Sequence, residues 1–358
     1  MHRHEPDAFE RVAKVLNPKD YLRLVLTGEY ATEVSAASGT GLFDVRARDW
    51  SSALLDKLPF SAAILPDCYE SDVVNGEVSA RGAELFGLAE GTPVVGGGGD
   101  AVIQTLGSGV VSPGVLLTTI GTAGITATAL QAPAENPEGR LQVFCNVAPS
   151  LWHCMGVSLN AGGALAWLRA SVGGNQSFDE LIAGAAEVPA GSGGLVFLPY
   201  LNGERCPHPD PNARGAFIGL TARHDLRHMT RALLEGVAFS LLDMYLLMTR
   251  MGGDRTVVKA SGGGAQSALW RQIHADVFGC PVVTTDGAAE GGAFGAALLA
   301  GISHGAWADV TEAATCCREL SRQTPRAENS GIYEQTYGVY AGLYDALRPS
   351  FDVLTELE

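Results

Sequence analysis

The sequence predicts an α/β protein built on a mixed sheet. Three observations carry that expectation. Short apolar runs bounded by glycines, first a hairpin and then further strands, occupy the stretch from Val115 to Gly156. Beyond Leu195, strand-like runs alternate with segments of helical periodicity, the order that lays helices against a partly parallel sheet. Glycine supplies 45 of 358 residues, well above the usual ~7%, so tight turns and close backbone approaches are expected between these elements.

Each element follows from its local pattern. Asp7 to Leu16 puts Phe9, Val12, Ala13 and Leu16 on one helical face, and Pro18 to Thr27 does the same with Leu22, Val25 and Leu26 before a stop at Gly28. Opening on helices with no leading strand suggests the tail of a larger domain. Ser79–Leu88 reads as a short helix, and Thr92–Val95 as a strand that runs into Gly96-Gly97-Gly98-Gly99-Asp100 and then a helix from Ala101 to Leu106. A boundary falls near Gly107–Pro113, dividing the chain into 1–107 and 108–358. Val115–Ile120 and Ile125–Leu130 flank Gly121-Thr122-Ala123-Gly124 as a hairpin. Val143–Val147 and Trp152–Gly156 are further strands, and Asn160–Val172 is a helix. Leu195–Leu201, Thr256–Ala260 and Pro281–Thr284 read as strands. Leu226–Met251, Ser267–Phe278, Ala288–Ala300 and Tyr333–Leu347 read as helices.

Composition narrows the function. Lys+Arg 24 against Asp+Glu 39 leaves a net charge of −15, which disfavours a nucleic-acid partner held through its phosphates. Hydrophobic content of 46% with 18% charged residues fits a globular protein rather than a disordered one. The longest uncharged stretch, Gly107 to Ala134, is broken by Gly, Pro, Ser and Thr, so no membrane partner is expected. Seven cysteines with no CxxC pair read as reduced thiols in a cytoplasmic protein.

Several residues could carry chemistry. Asp100 stands where a strand passes through four glycines into a helix, the strand end at which α/β proteins place ligands. It reads either as a general base within reach of a substrate hydroxyl or as a cap of the helix that follows. Gly121-Thr122-Ala123-Gly124 is either an anion-binding nest or a plain hairpin turn. Gly262-Gly263-Gly264-Ala265-Gln266-Ser267 lies between strand and helix, open to a nucleotide or merely tight. As a dinucleotide fingerprint it lacks its third glycine, and Asp286 is only a loose match for a ribose carboxylate. His224-Asp225-Leu226-Arg227-His228 imitates a zinc motif but reads as the solvated start of a helix. Asn202-Gly203-Glu204-Arg205 is a polar loop or a salt-bridged surface turn. The tyrosines at 333, 337, 340 and 344 read as packing, and Cys316-Cys317 as inert.

Taken in order, these stretches resemble the FGGY family of carbohydrate kinases, and within it the xylulose-kinase branch. The resemblance runs through residues 12–23, Ala36-Ala37-Ser38-Gly39-Thr40, Gly97-Gly98-Gly99-Asp100, Ile120-Gly121-Thr122-Ala123-Gly124, Phe197–Arg205, Gly215–Leu220 and Gly262–Ser267 with Trp270-Arg271-Gln272. It implies two ribonuclease-H-like, actin-type α/β domains, the first incomplete, with 1–107 the remainder of the sugar-binding domain and 108–358 the ATP-binding domain. It also implies Asp100 as the base, Gly121 and Thr122 on the ATP phosphates, Gly162 facing the nucleotide, and Gly264 and Ala265 lining the adenine pocket. The reactants it implies are a small-molecule sugar, D-xylulose first, and ATP, with Mg2+ expected to bridge phosphate oxygens.

Two departures bear on this. The family's opening Asp-x-Gly-Thr hairpin has no counterpart before Asp100, so a stretch of about 100–150 residues is expected to be absent. Nucleotide binding with weak or no turnover then follows, along with a possible homodimer or a missing N-terminal segment acting in trans. Ala101 stands where xylulose kinases usually carry Asn, which puts the sugar's identity in question. A kinase for another sugar, a non-catalytic actin-like nucleotide binder and an NAD-dependent oxidoreductase are the rival readings.

Overall fold

The computed structural model describes residues 2–133, 135–136, 138–249, 255–288 and 290–357. Its centre is a seven-stranded sheet ordered Glu319–Gln323, Val282–Thr285, Val257–Ser261, Val115–Ile120, Gly124–Leu130, Trp152–Ser158, Gln142–Cys145. Val257–Ser261 runs parallel to both Val115–Ile120 and Val282–Thr285, while the other neighbours are antiparallel. The mixed sheet is therefore as expected. Its parallel pairs lie where helices intervene, and its antiparallel part is the predicted hairpin with the two strands that follow.

Helix Leu226–Thr249 fills one face of the sheet, with Leu233, Leu234, Phe239, Leu241 and Met244 all at most 1% exposed. Burying each such side chain contributes roughly 1.5–3 kcal/mol. Among the described residues it is the one helix long and apolar enough to cross a membrane, but most of it is buried in this core. Its expected end at Met251 to Gly253 lies outside the described residues. The last helix, Ala327–Thr355, packs on the same core through Tyr333, Tyr340 and Tyr344. The Tyr333 hydroxyl donates to Glu235 at 2.9 Å, and those of Tyr340 and Tyr200 meet at 3.1 Å. The tyrosine stripe is core packing.

Residues before Gly107 form short pieces around a parallel pair of strands, Ala31–Glu33 and Asp67–Tyr69. They are tied to the large sheet across several points. The Trp152 indole donates to Val45 O at 2.7 Å, Cys145 N–H to Ser38 Oγ at 3.0 Å, and Arg48 to Leu151 O at 3.0 Å. Helix Asp100–Gly107 crosses helix Gly291–Ser303 at glycine contacts. A β-carbon on Gly295 would stand 2.0 Å from Ile103 O, and one on Gly107 would stand 2.1 Å from Gly291 O. Only glycine permits that approach, which fixes the helix carrying Asp100 against the second half of the chain.

Two expectations at the start of the chain fail. The helix foreseen over Asp7–Leu16 is the single turn Pro6–Phe9. The chain after it is held extended instead, by Val15 N–H to Ile64 O at 2.8 Å and by the Lys14 ammonium on Ala63 O and Leu65 O. Tertiary contacts outweigh a propensity too short to propagate. The helix Pro18–Thr27 forms and stops at a left-handed Gly28 as expected, but it turns the other way round. Asp20, Arg23 and Thr27 are buried while Leu22 is 52% exposed. The polar face is inside because it is paired: Asp20 accepts from the Thr32 hydroxyl at 2.8 Å, and Arg23 donates to Asn75 Oδ1 at 3.0 Å.

Candidate active site

Two cavities gather most of the residues singled out by sequence. The first, about 910 Å³, is lined by Gly121, Thr122, Gly162, Gly263, Gly264, Gln266 and Ser267, with Leu165, Phe178, Ile182 and Trp270 as apolar wall. It lies where the tip of the hairpin Val115–Ile120/Gly124–Leu130 meets the start of helix Gly162–Ser171 and the turn after Val257–Ser261. The turns are locked together by backbone. Gly162 N–H donates to Gly121 O at 2.7 Å, Ala161 N–H to Thr122 O at 2.9 Å and Gly163 N–H to Thr122 O at 3.1 Å. A β-carbon on Gly162 would lie 2.7 Å from Gly121 O, and one on Gly264 would lie 2.3 Å from Ile120 Cγ2. These glycines are thus demanded by the turns' approach to one another, and a β-carbon on Gly263 alone would meet nothing within 4 Å.

Among the described residues no Lys or Arg lines this cavity. A polyanion there would be met by backbone dipoles and hydroxyls. Gly121 N–H is itself engaged, donating to Ala123 O at 3.1 Å. Ala265 is behind the wall rather than on it: it is 4% exposed, and its carbonyl accepts from Arg271.

The second cavity, about 690 Å³, holds Asp100. Its lining comes from both halves of the chain: Asn17, Lys19, Ser35, Gly98 to Ile103 on one side, and Gln142, Phe144, Met155 and Gly292 on the other. Gly99 is the N-cap, and Asp100 begins the helix with its carboxylate exposed, accepting Ala101 N–H at 2.7 Å. The cap is thus Gly99 and not Asp100, whose side chain accepts its neighbour's amide from the first helical position. An anionic side chain at a helix N-terminus is favoured by the helix dipole, and its second oxygen remains open to a ligand. The two cavities share no lining residue.

Other sequence candidates separate from these sites. Asp286 is paired with Arg318 at 2.9 Å and lines a different cavity from Gly264, so the dinucleotide arrangement does not form. Asp225 engages Arg227 and His228, and the His224 ring accepts Thr221 N–H at 3.0 Å, which makes that motif a helix start. Among the described residues no group of three His, Cys, Asp or Glu side chains is gathered for a metal. None of the seven cysteines is joined in a disulfide, and burial pushes the Cys317 thiol up.

Asn202–Arg205 corrects its surface reading. Glu204 is 3% exposed and makes no salt bridge to its neighbour's side chain. It accepts the Ser158 hydroxyl at 2.7 Å, Leu159 N–H at 2.9 Å and Arg205 N–H at 2.7 Å. Burial pushes its carboxyl up to about 7 despite these donors. Glu204 therefore holds the backbone at Ser158 and Leu159, just before the segment that brings Gly162 to the first cavity. Sequence reasoning also passed over Glu33, a fully buried carboxyl close to Gly99. Its signal was an acid ending a strand just before the small-residue run Ser35–Ser38.

Residues 1–107 match the N-terminal domain of the FGGY family of carbohydrate kinases, and residues 116–304 match its C-terminal domain. The xylulose kinase of Escherichia coli (strain K12) is 36% identical over 349 residues, covering 98% of this chain and 72% of the relative. The crystal structure of xylulose kinase from Rhodospirillum rubrum superposes with a TM-score of 0.90 at 33% identity, over 98% of this chain and 71% of that one. The gluconate kinase of Lactobacillus acidophilus superposes with a TM-score of 0.93 at 26% identity, over 99% and 72%. The chain belongs to the FGGY family of carbohydrate kinases, with the actin-like, ribonuclease-H-like fold of that family. It is a phosphotransferase of the sugar-kinase lineage, similar to xylulose kinases over nearly its whole length and spanning about 70% of theirs.

Proposed function

We propose that the protein transfers the γ-phosphoryl group of ATP to a hydroxyl of D-xylulose, with Asp100 as the general base. The observation that carries this reading is the exposed Asp100 carboxylate in a cavity walled by both halves of the chain. A second cavity, lined by glycine turns, would meet the nucleotide with backbone. Residues 1–107 then form most of the sugar side and 108–358 the nucleotide side.

Each residue has a defined task. Asp100 accepts the proton of the attacking hydroxyl as its oxygen bonds to phosphorus. The turn Gly121–Thr122 and the backbone at Gly162 face the phosphates, while Gly264, Leu165, Phe178, Ile182 and Trp270 offer an apolar slot of the kind a purine fills. Mg2+ brought in with ATP would supply charge neutralisation at the phosphates. Shielding of the reacting phosphoryl group from water falls to the walls of the Asp100 cavity, with Phe144 and Met155 on the apolar side.

The test is phosphate transfer measured by ADP release with D-xylulose, against the same chain carrying Asp100→Asn. The substitution is expected to lower sugar-dependent ADP release by about 10²–10⁴-fold, the share a general base supplies, and to leave ADP binding intact. An Asp100→Asn protein as fast as its parent rejects the base assignment. A second reading, a kinase for a different sugar, is favoured by Ala101, which lines the Asp100 cavity with a methyl group and no hydrogen-bonding side chain. A panel including gluconate, ribulose and glycerol decides between them, the preferred substrate being the one with the highest kcat/KM.

A further inference from the structure

We infer that Glu33 is the positioning residue that sets the four-glycine loop and, through it, Asp100. The inference rests on the reading of Asp100 as the base.

Glu33 ends the strand Ala31–Glu33 and is the N-cap of the helix Val34–Ser38. An ordinary cap satisfies one or two amides at a surface. This one is fully buried and gathers five donors. They are Ser35 N–H at 2.7 Å, Ala36 N–H at 2.8 Å, the Ser35 hydroxyl at 3.0 Å, the Ser71 hydroxyl at 2.7 Å and the Lys19 ammonium at 3.4 Å.

Three of these partners hold the loop Gly96–Gly99. Lys19 donates to Gly96 O at 3.2 Å, Ser71 O accepts Gly97 N–H at 3.1 Å, and Ser35 Oγ accepts Gly99 N–H at 2.9 Å. The Ser35 hydroxyl has one proton. Giving it to Glu33 leaves its oxygen lone pairs for Gly99, so Glu33 decides which way that hydroxyl faces. A glycine run has no side chains with which to fix its own path. The loop's conformation is therefore imposed from below, and Gly99 is the cap from which the Asp100 helix starts. A β-carbon on Gly96 would stand 3.1 Å from Glu33 Cβ, so the loop lies directly against this side chain.

The experiment compares the parent chain with Glu33→Gln and Ser35→Ala, the second removing the hydroxyl link while sparing the buried acid should Glu33→Gln not fold. Amide hydrogen exchange is read at Gly99 and, as reference, along Val115–Ile120. Exchange at Gly99 is expected to rise roughly tenfold in either variant, with the reference strand unchanged. Sugar-dependent turnover should fall through kcat, with the KM for ATP within about twofold, and Glu33→Gln should cost nothing further in an Asp100→Asn background. Unchanged exchange at Gly99 overturns the inference, as does a loss that multiplies with that of Asp100→Asn. If Asp100→Asn itself turns over like the parent, the base reading fails, and exchange at Gly99 alone decides whether Glu33 holds the loop.

Discussion

Replacing Gly162 by alanine probes the nucleotide side directly. The new β-carbon would stand 2.7 Å from Gly121 O, when ordinary contact begins near 3.4 Å. The hairpin tip and the helix start must therefore separate by several tenths of an ångström. The same carbonyl accepts the Gly162 N–H at 2.7 Å, so the separation also weakens that bond. Overpacking of this kind costs about 1–3 kcal/mol and a hydrogen bond about 1 kcal/mol, giving roughly 2–4 kcal/mol in all. Part of that strain can be released by moving the turn Gly121–Thr122, which lines the cavity. Urea denaturation reads the stability, and titration calorimetry with ADP reads the site. A stability loss in that range together with at least tenfold weaker ADP binding is expected. Gly162→Ala protein that is folded and binds ADP as tightly as the parent would refute the assignment of these turns to the phosphates.

Other perturbations separate packing from chemistry. Gly331, Gly338 and Gly342 lie within the helix Ala327–Thr355, and a β-carbon at any of them would meet nothing within 4 Å. Alanine at each should stabilise by up to about 1 kcal/mol, read as a rise in thermal midpoint, and a fall would show that the helix is not continuous there. Glu204, raised from 4.5 to about 7, contributes stability that is full below its unfolded value and lost as pH rises through 7. The loss amounts to about 3 kcal/mol. Buried His153 and His274, lowered to about 4, slope the opposite way between pH 4 and 6.5, so the effect is read as the parent's pH–stability curve minus that of Glu204→Gln. A difference curve that stays flat from pH 5 to 8 would contradict the raised carboxyl. Arg48 donates to Glu70 at 2.7 and 2.6 Å and to the backbone at Leu151 and Asn146, stitching the two halves together. Arg48→Lys should fail to restore the stability lost in Arg48→Ala, since a point charge cannot span that fork. Equal denaturation midpoints for Arg48→Lys and the parent would show the fork to be dispensable.

Much of this molecule was legible residue by residue. The hairpin around Gly121–Gly124, the strand–turn–helix at Gly262–Ser267 and the helix starting at Asp100 all carry strong local signals. Apolar runs, glycines at turns and a capping Ser267 need no distant partner to be read. What escaped was whatever depended on a polar group finding partners far along the chain. The helix Pro18–Thr27 was assigned its inner face by hydropathy, yet Asp20 and Arg23 are inside because Thr32 and Asn75 satisfy them. Glu204 looked like a surface turn, yet Ser158 and Leu159 enclose it. The edge strand Glu319–Gln323 alternates too weakly for its pattern to announce it, and it forms against Val282–Thr285.

The sequence by itself determined the kind of elements, their order and the chemical character of the turns between them, since periodicity, glycine placement and capping act over a few residues. It also supplied the family, through motifs that are weak singly and specific in series. Only the tertiary structure decided that glycines from three separate stretches line one cavity, that both halves of the chain wall in Asp100, and that buried acids such as Glu33 and Glu204 hold the loops beneath those cavities. The physical reason is that a buried carboxyl is tolerated only where enough donors converge on it, and such convergence is a property of the folded chain that no local stretch contains.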